Sequence, residues 1–164
     1  MSDLTVEQLN PVQRAILNVV ESSMVYSKSI REITAPKGFT EWRVIRDYCR
    51  IAVTVPQRAG VSVMSQFLAE HLLEKFPEAN IIRLGSHEKV YGDAIEPRID
   101  FISVATPADY GRARQRIRES EKKYSFVIVD QSDWICGQDN RFEKLAEDMF
   151  RIGVEDQYLI NLST

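Results

Sequence analysis

Five short runs of apolar, β-prone residues, at 51–55, 81–84, 101–105, 126–129 and 158–162, are each of strand length, and most are followed by segments of helical periodicity. This alternation constrains the fold more than any other feature of the sequence. A strand brought back to its sheet by a helix lies parallel to its predecessor. The pattern therefore predicts an α/β fold, a mainly parallel sheet of about five strands with flanking helices. The first run, Ile51-Ala52-Val53-Thr54-Val55, is almost continuously apolar and ends at Pro56, as a strand covered on both faces reads. After it, Met64, Phe67, Leu68, Leu72 and Phe76 recur at helical spacing until Pro77. Thr106-Pro107-Ala108-Asp109 reads as a helix start, with Thr as cap and Pro first inside, for a helix running to about Lys123. Phe142, Leu145, Ala146, Met149 and Phe150 form another helical stripe, closed by Gly153.

Residues 1–50 read as an N-terminal helical addition to a core at 51–164, the whole forming one compact domain of 164 residues. Its first helix is expected to put Val12, Ala15, Ile16, Val19 and Val20 on one face, with Asn10 as cap and Pro11 at the first helical position. The pattern weakens around Pro36-Lys37-Gly38, and a second short helix is expected from Thr40. No apolar run is long enough to cross a bilayer, and Met1-Ser2-Asp3 does not begin a basic-then-apolar leader. Cys49 and Cys136 lack CxxC or Cys-His spacing, which points to reduced thiols in a cytoplasmic compartment rather than to a cysteine metal site. His71 and His87 lack ligand spacing to one another. The net charge of -3 supplies no global positive field for nucleic acid.

In an open parallel sheet, ligands bind beyond the carboxyl ends of the strands, where amides at helix N-termini attract anions. The first strand-to-helix turn, Gln57-Arg58-Ala59-Gly60-Val61-Ser62, lies at such a place. A phosphate loop uses a glycine for close approach, a lysine on the terminal phosphates, and a Ser or Thr hydroxyl on magnesium. Gly60 and Ser62 suit two of these roles; the lysine position is Val61, and Val55 replaces the first glycine. A bare strand-to-helix bend at Gly60 remains the alternative. Phe126-Val127-Ile128-Val129-Asp130 has the form of a Walker B strand. Asp130 would hold magnesium together with Ser62, or else make a structural hydrogen bond to the loop. The next residue is Gln131, where an ATPase places a glutamate, and Gln131 cannot accept a proton.

On these residues the chain resembles the ATPase region of phage and viral large terminases and, more distantly, helicase-like P-loop motors. The resemblance runs from about Phe39 to Thr164. Arg58-Ala59-Gly60-Val61-Ser62 looks like the terminase phosphate loop, Phe126 to Gln131 like its Walker B strand, and Leu162-Ser163-Thr164 like its coupling segment. Leu9-Asn10-Pro11-Val12-Gln13 looks like an adenine-reading element with Gln13 as reader. The resemblance implies a RecA-like P-loop NTPase core that takes ATP and magnesium. Some terminases carry the lysine displaced to the start of the loop, near Val55 here, but no lysine stands there. Arg58 is the cation of the loop, and the chain stops where a terminase continues into a nuclease domain.

The expected function is that of a P-loop protein with an altered nucleotide site, binding or regulatory in role and associated with DNA processing, in the host cytoplasm if phage-encoded. Hydrolysis is expected to be absent or weak, with Asp130 and Gln131 as vestigial catalytic groups. Gln57, Arg58, Ala59, Gly60, Val61, Ser62 and Gln13 would contact nucleotide. A motor subunit that hydrolyses ATP once a partner supplies the missing cation is one alternative; an interaction module that binds no nucleotide is another. Arg112, Arg114, Arg116 and Arg118, followed by Lys122 and Lys123, concentrate positive charge on one predicted helix. They would contact DNA phosphates, or form a solvated face balanced by Glu119 and Glu121.

Overall fold

The computed structural model describes residues 4–34, 50–54, 58–103, 107–119, 122, 124–130 and 158–163. Within them the elements are helix α1 (Pro11–Thr34), strand β1 (Arg50–Thr54), helix α2 (Val61–Lys75), strands β2 (Ile81–Gly85) and β3 (Ile99–Ser103), helix α3 (Pro107–Glu119), and strands β4 (Phe126–Asp130) and β5 (Tyr158–Ser163). The strands form one sheet in the order β1-β5-β4-β2-β3, and every neighbouring pair is parallel. The fold is thus α/β, an all-parallel sheet with flanking helices. The helix expected from Thr40 and the stripe at 142–153 lie outside the described residues.

α1 starts where Asn10 and Gln13 cap each other. The Gln13 N–H donates to Asn10 Oδ1 at 2.8 Å, and the Asn10 N–H donates to Gln13 Oε1 at 3.0 Å. The buried side of α1 is Gln13, Ile16, Leu17 and Val20, so the expected face is corrected: Ala15 is exposed and Val19 is 43% exposed. The expected residues share one helical face, but the buried face at 13, 16, 17 and 20 is centred further round the helix, so that only Ile16 and Val20 are common to both. The helix is rotated so that Gln13 faces inward.

α2 is buried without interruption from Met64 to Glu70, because it is covered on more than one side. The sheet lies beneath it, α1 packs on one flank, and the 86–98 segment is bound to the other. The helix ends one residue before Phe76, which was expected in its stripe. The Phe76 N–H still donates to Leu72 O at 2.8 Å, but Phe76 has φ -128 and is 39% exposed, and Pro77 follows. Its ring packs on Phe126, centroids 5.5 Å apart, and Phe126 stacks on Tyr158 at 5.6 Å, closing the amino edge of the sheet with aromatic rings.

β2 to β3 is a parallel crossover, a connection usually made by a helix. Here residues 86–98 contain no helix. They are fastened to α2 by polar side chains, and their geometry shapes the site described next. Leu9, Ile16, Leu17 and Val20 at the N-terminal end belong to the same buried cluster as the sheet and α2.

Candidate functional site

Because the strands are parallel, the ends of β1, β5, β4 and β2 lie at one edge of the sheet. In register, Thr54 pairs with Ser163 and Leu162 with Asp130, so one strand separates the end of β1 from the end of β4. At ordinary strand spacing the two ends are about 10 Å apart. The turn into α2 and the carboxylate of Asp130 therefore share one edge, with β5 between them.

The turn is built from two left-handed residues. Arg58 has φ 62 and is exposed, and Gly60 has φ 83 and ψ 38 as the N-cap of α2. A Cβ on Gly60 would overlap Nε2 of Gln13, so conformation and space both require glycine. Asn10 Nδ2 donates to Ala59 O at 3.2 Å, and Gln13 Nε2 donates to Gly60 O at 3.1 Å. The pair that starts α1 thus also holds the turn by its carbonyls. Gly60, as N-cap, gives the first turn of α2 no side-chain cap hydrogen bond, and the N-terminal end of a helix carries the positive end of its dipole.

Val61 opens α2 at 3% exposure, packed in the core, and Ser62 follows half-buried. The site where a phosphate loop carries its lysine is filled by an apolar side chain. Gln13, expected as a base reader, is 7% exposed behind the turn, with its amide bonded to Asn10 and Gly60. In this position it braces the turn.

Asp130 is 6% exposed at the end of β4, facing Gly85. A Cβ at Gly85 would lie 3.4 Å from Asp130 Cβ and 3.9 Å from Oδ2, so the glycine keeps open a space the size of a methyl beside the carboxylate. Among the described residues no cluster of three or more His, Cys, Asp and Glu side chains could hold a metal ion. A magnesium ion with one carboxylate, one hydroxyl and phosphate oxygens needs no such cluster. Asp130 supplies a carboxylate and Ser62 a hydroxyl of that kind.

Arg83 was missed in the sequence, where its signal is one charged residue inside the run Ile81-Ile82-Arg83-Leu84. It is 4% exposed in a strand whose every residue is buried. Nη1 donates to Glu88 O at 2.7 Å, and Nη2 donates to Ser65 Oγ at 2.9 Å and to His87 O at 3.3 Å. Its guanidinium carbon lies 5.4 Å from the centroid of Phe101. Burial pushes its pKa down, and Asp130 is the strongest of the neighbouring groups that act against this.

Beside it, Gln66 Oε1 accepts the Val90 and Tyr91 N–H groups at 2.6 and 3.3 Å, and Gln66 Nε2 donates to Glu70 Oε1 and Tyr91 O, each at 3.1 Å. The Tyr91 hydroxyl donates to Glu70 Oε2 at 2.7 Å.

On α3, Arg112 is 79% exposed and lies 3.9 Å from Asp109, while Arg116 donates to Phe101 O at 3.1 Å. The side chains of Arg114 and Arg118 lie outside the described set, as do Gln57, Gln131 and Thr164. The helix is described to Glu119 and Lys122 is not helical; the expected end at about Lys123 lies outside the described residues. Among the described residues no helix is long and apolar enough to cross a membrane.

The chain is similar to glutathione transferase omega-1 of Caenorhabditis elegans, with 27% identity over 100 residues, which cover 60% of this chain and 40% of that protein. It therefore spans less than half the length of that relative. No protein-family model matches the chain, and no solved structure matches it.

Proposed function

We propose that this chain has a P-loop NTPase-type, RecA-like core and binds a nucleotide through its phosphates while hydrolysing it slowly or not at all. The observation that carries this reading is the turn at 58–62. Its carbonyls are tied back by Asn10 and Gln13, its glycine is required, and it opens α2 on the same sheet edge as Asp130. The first-turn amides of α2 would hold phosphate oxygens, Arg58 would add charge from the solvent side, and Ser62 with Asp130 would hold magnesium.

Hydrolysis is weak in this reading because Val61 is apolar and Gln131 replaces the glutamate that an ATPase places there. Loss of one electrostatic group on the developing charge costs about 3 kcal/mol, roughly a hundredfold in rate. A role in DNA processing rests on the terminase resemblance, and ATP turnover with and without duplex DNA tests it.

The deciding experiment is titration of the full chain with a labelled ATP analogue, with and without magnesium, with glutathione titrated in parallel. Saturable nucleotide binding that is lost in Gly60→Val supports the reading. No binding at roughly millimolar nucleotide rejects it. Protection by glutathione alone would transfer the site to a different ligand class.

A further inference from the structure

Val61 puts an apolar side chain where a phosphate loop has its lysine, and Arg58 is exposed to solvent. Arg83 bonds to Ser65, one helical turn after Val61 on α2. Alternation along β2 puts Arg83 and Gly85 on one face, and Asp130 faces Gly85 from the neighbouring strand. From that face Arg83 reaches the start of α2 in two steps. Its Nη2 donates to Ser65 Oγ at 2.9 Å, and Ser65 Oγ donates to Ser62 O at 3.0 Å.

Among the described residues Arg83 donates to a hydroxyl and two carbonyls, its Nε has no hydrogen-bond partner, and the negative groups that act on its charge are Asp130 first and then Glu70, with Glu88 further down. A buried cation whose hydrogen bonds all go to neutral groups is an expensive way to fasten a loop. Of the carboxylates that act on this charge, Asp130 is the strongest, and it lies on the same face of the sheet.

We propose that Arg83 is the fixed cation of this site, a positioning residue that offsets Asp130 and the terminal phosphates from beneath the turn, where Val61 excludes a lysine. The phosphate half of this proposal rests on the nucleotide reading above; the Asp130 half does not. The competing role, a strap for residues 86–98, uses the same hydrogen bonds but not the charge. Arg83→Met keeps the apolar stem and removes charge and donors, whereas Arg83→Lys keeps the charge and loses most of the straps.

Two measurements on the full chain separate these roles. In denaturant unfolding without nucleotide, a double-mutant cycle of Arg83→Met with Asp130→Asn should show coupling of about tenfold in the unfolding constant, and an additive cycle overturns the pairing. In nucleotide titrations, Arg83→Met should weaken an ATP analogue by on the order of tenfold and AMP by less than about threefold, with Arg83→Lys recovering most of the loss.

Equal losses for both nucleotides, or Lys no better than Met, reduce Arg83 to a strap. If wild type binds no nucleotide, the site reading fails by itself. The cycle still decides the Asp130 half: coupling keeps it and additivity removes it. Should Arg83→Met not fold, Arg83→Gln takes its place in the cycle and Arg83→Lys carries the nucleotide test, with ATP binding within about threefold of wild type expected and a tenfold loss overturning the proposal.

Discussion

Two connections leave the carboxyl edge of the sheet and are tied down nearby, the 58–60 turn and the 86–98 crossover, and they are held in opposite ways. The turn is held by two carbonyls, those of Ala59 and Gly60, gripped from behind by Asn10 and Gln13. The crossover is held by side chains that occupy one another, with both atoms of the Gln66 amide and both oxygens of Glu70 engaged. A backbone gripped by its carbonyls is fixed without using its own N–H groups in that contact. A backbone sewn to a helix by a closed polar network keeps nothing in reserve. The binding proposed above concerns the turn, and the crossover has no part in it.

Four experiments break or sharpen this contrast, in order of expected effect. Val61→Lys should lower stability by about 3 kcal/mol, read from the urea midpoint, because it puts an ammonium in the core without a partner. A gain of ATP hydrolysis at unchanged stability would instead show that the turn admits the lysine. Gly60→Ala should cost about 2 kcal/mol, from its positive φ and the overlap with Gln13. That cost should shrink when Gln13→Ala clears the space, which tests the brace directly.

On the other side, Gln66→Leu leaves the Val90 and Tyr91 N–H groups without their acceptor and should cost about 1–2 kcal/mol. It should speed proteolysis within 86–98 and leave nucleotide affinity unchanged. The smallest effect concerns Asp100 on β3, away from both connections. Burial raises its pKa, but hydrogen bonds from the Tyr124 hydroxyl at 2.7 Å and Lys122 at 2.9 Å outweigh this and hold it below the usual carboxylate value. With the folded value below the unfolded one, the carboxylate stabilises fully above pH ~3.9, and this is lost as pH falls through the folded value. Asp100→Asn should therefore cost no more than about 1 kcal/mol near neutrality, with the gap to wild type closing in acid.

The strands at 51–55 and 126–129 and the α1 cap were legible because each rests on local chemistry: apolar runs, and an Asn-Pro start. What could not be read is tertiary. Asn10 as a cap is a local inference, but Asn10 also binds Ala59, a residue far along the chain. Gln13 was singled out as a base reader, whereas only the fold shows its amide bonded behind the turn. Val61 was recognised as a missing lysine, yet its burial, which makes the absence structural, follows from the docking of α2. Arg83 looked like a polar interruption in a strand because its partners lie on α2 and in a loop with no pattern of its own.

The sheet order has a consequence for how the chain assembles. β1 has β5 as its neighbour in the sheet, and β5 comes after the other described strands in chain order. As the chain emerges from a ribosome, β4, β2 and β3 can pair among themselves while β1 waits, and the turn after β1 gains its fixed distance to Asp130 only when residues 158–163 slot between them. Long-range closures of this kind slow folding and expose unpaired edges meanwhile. The edge that carries the turn and Asp130 is thus completed by the insertion of a single strand.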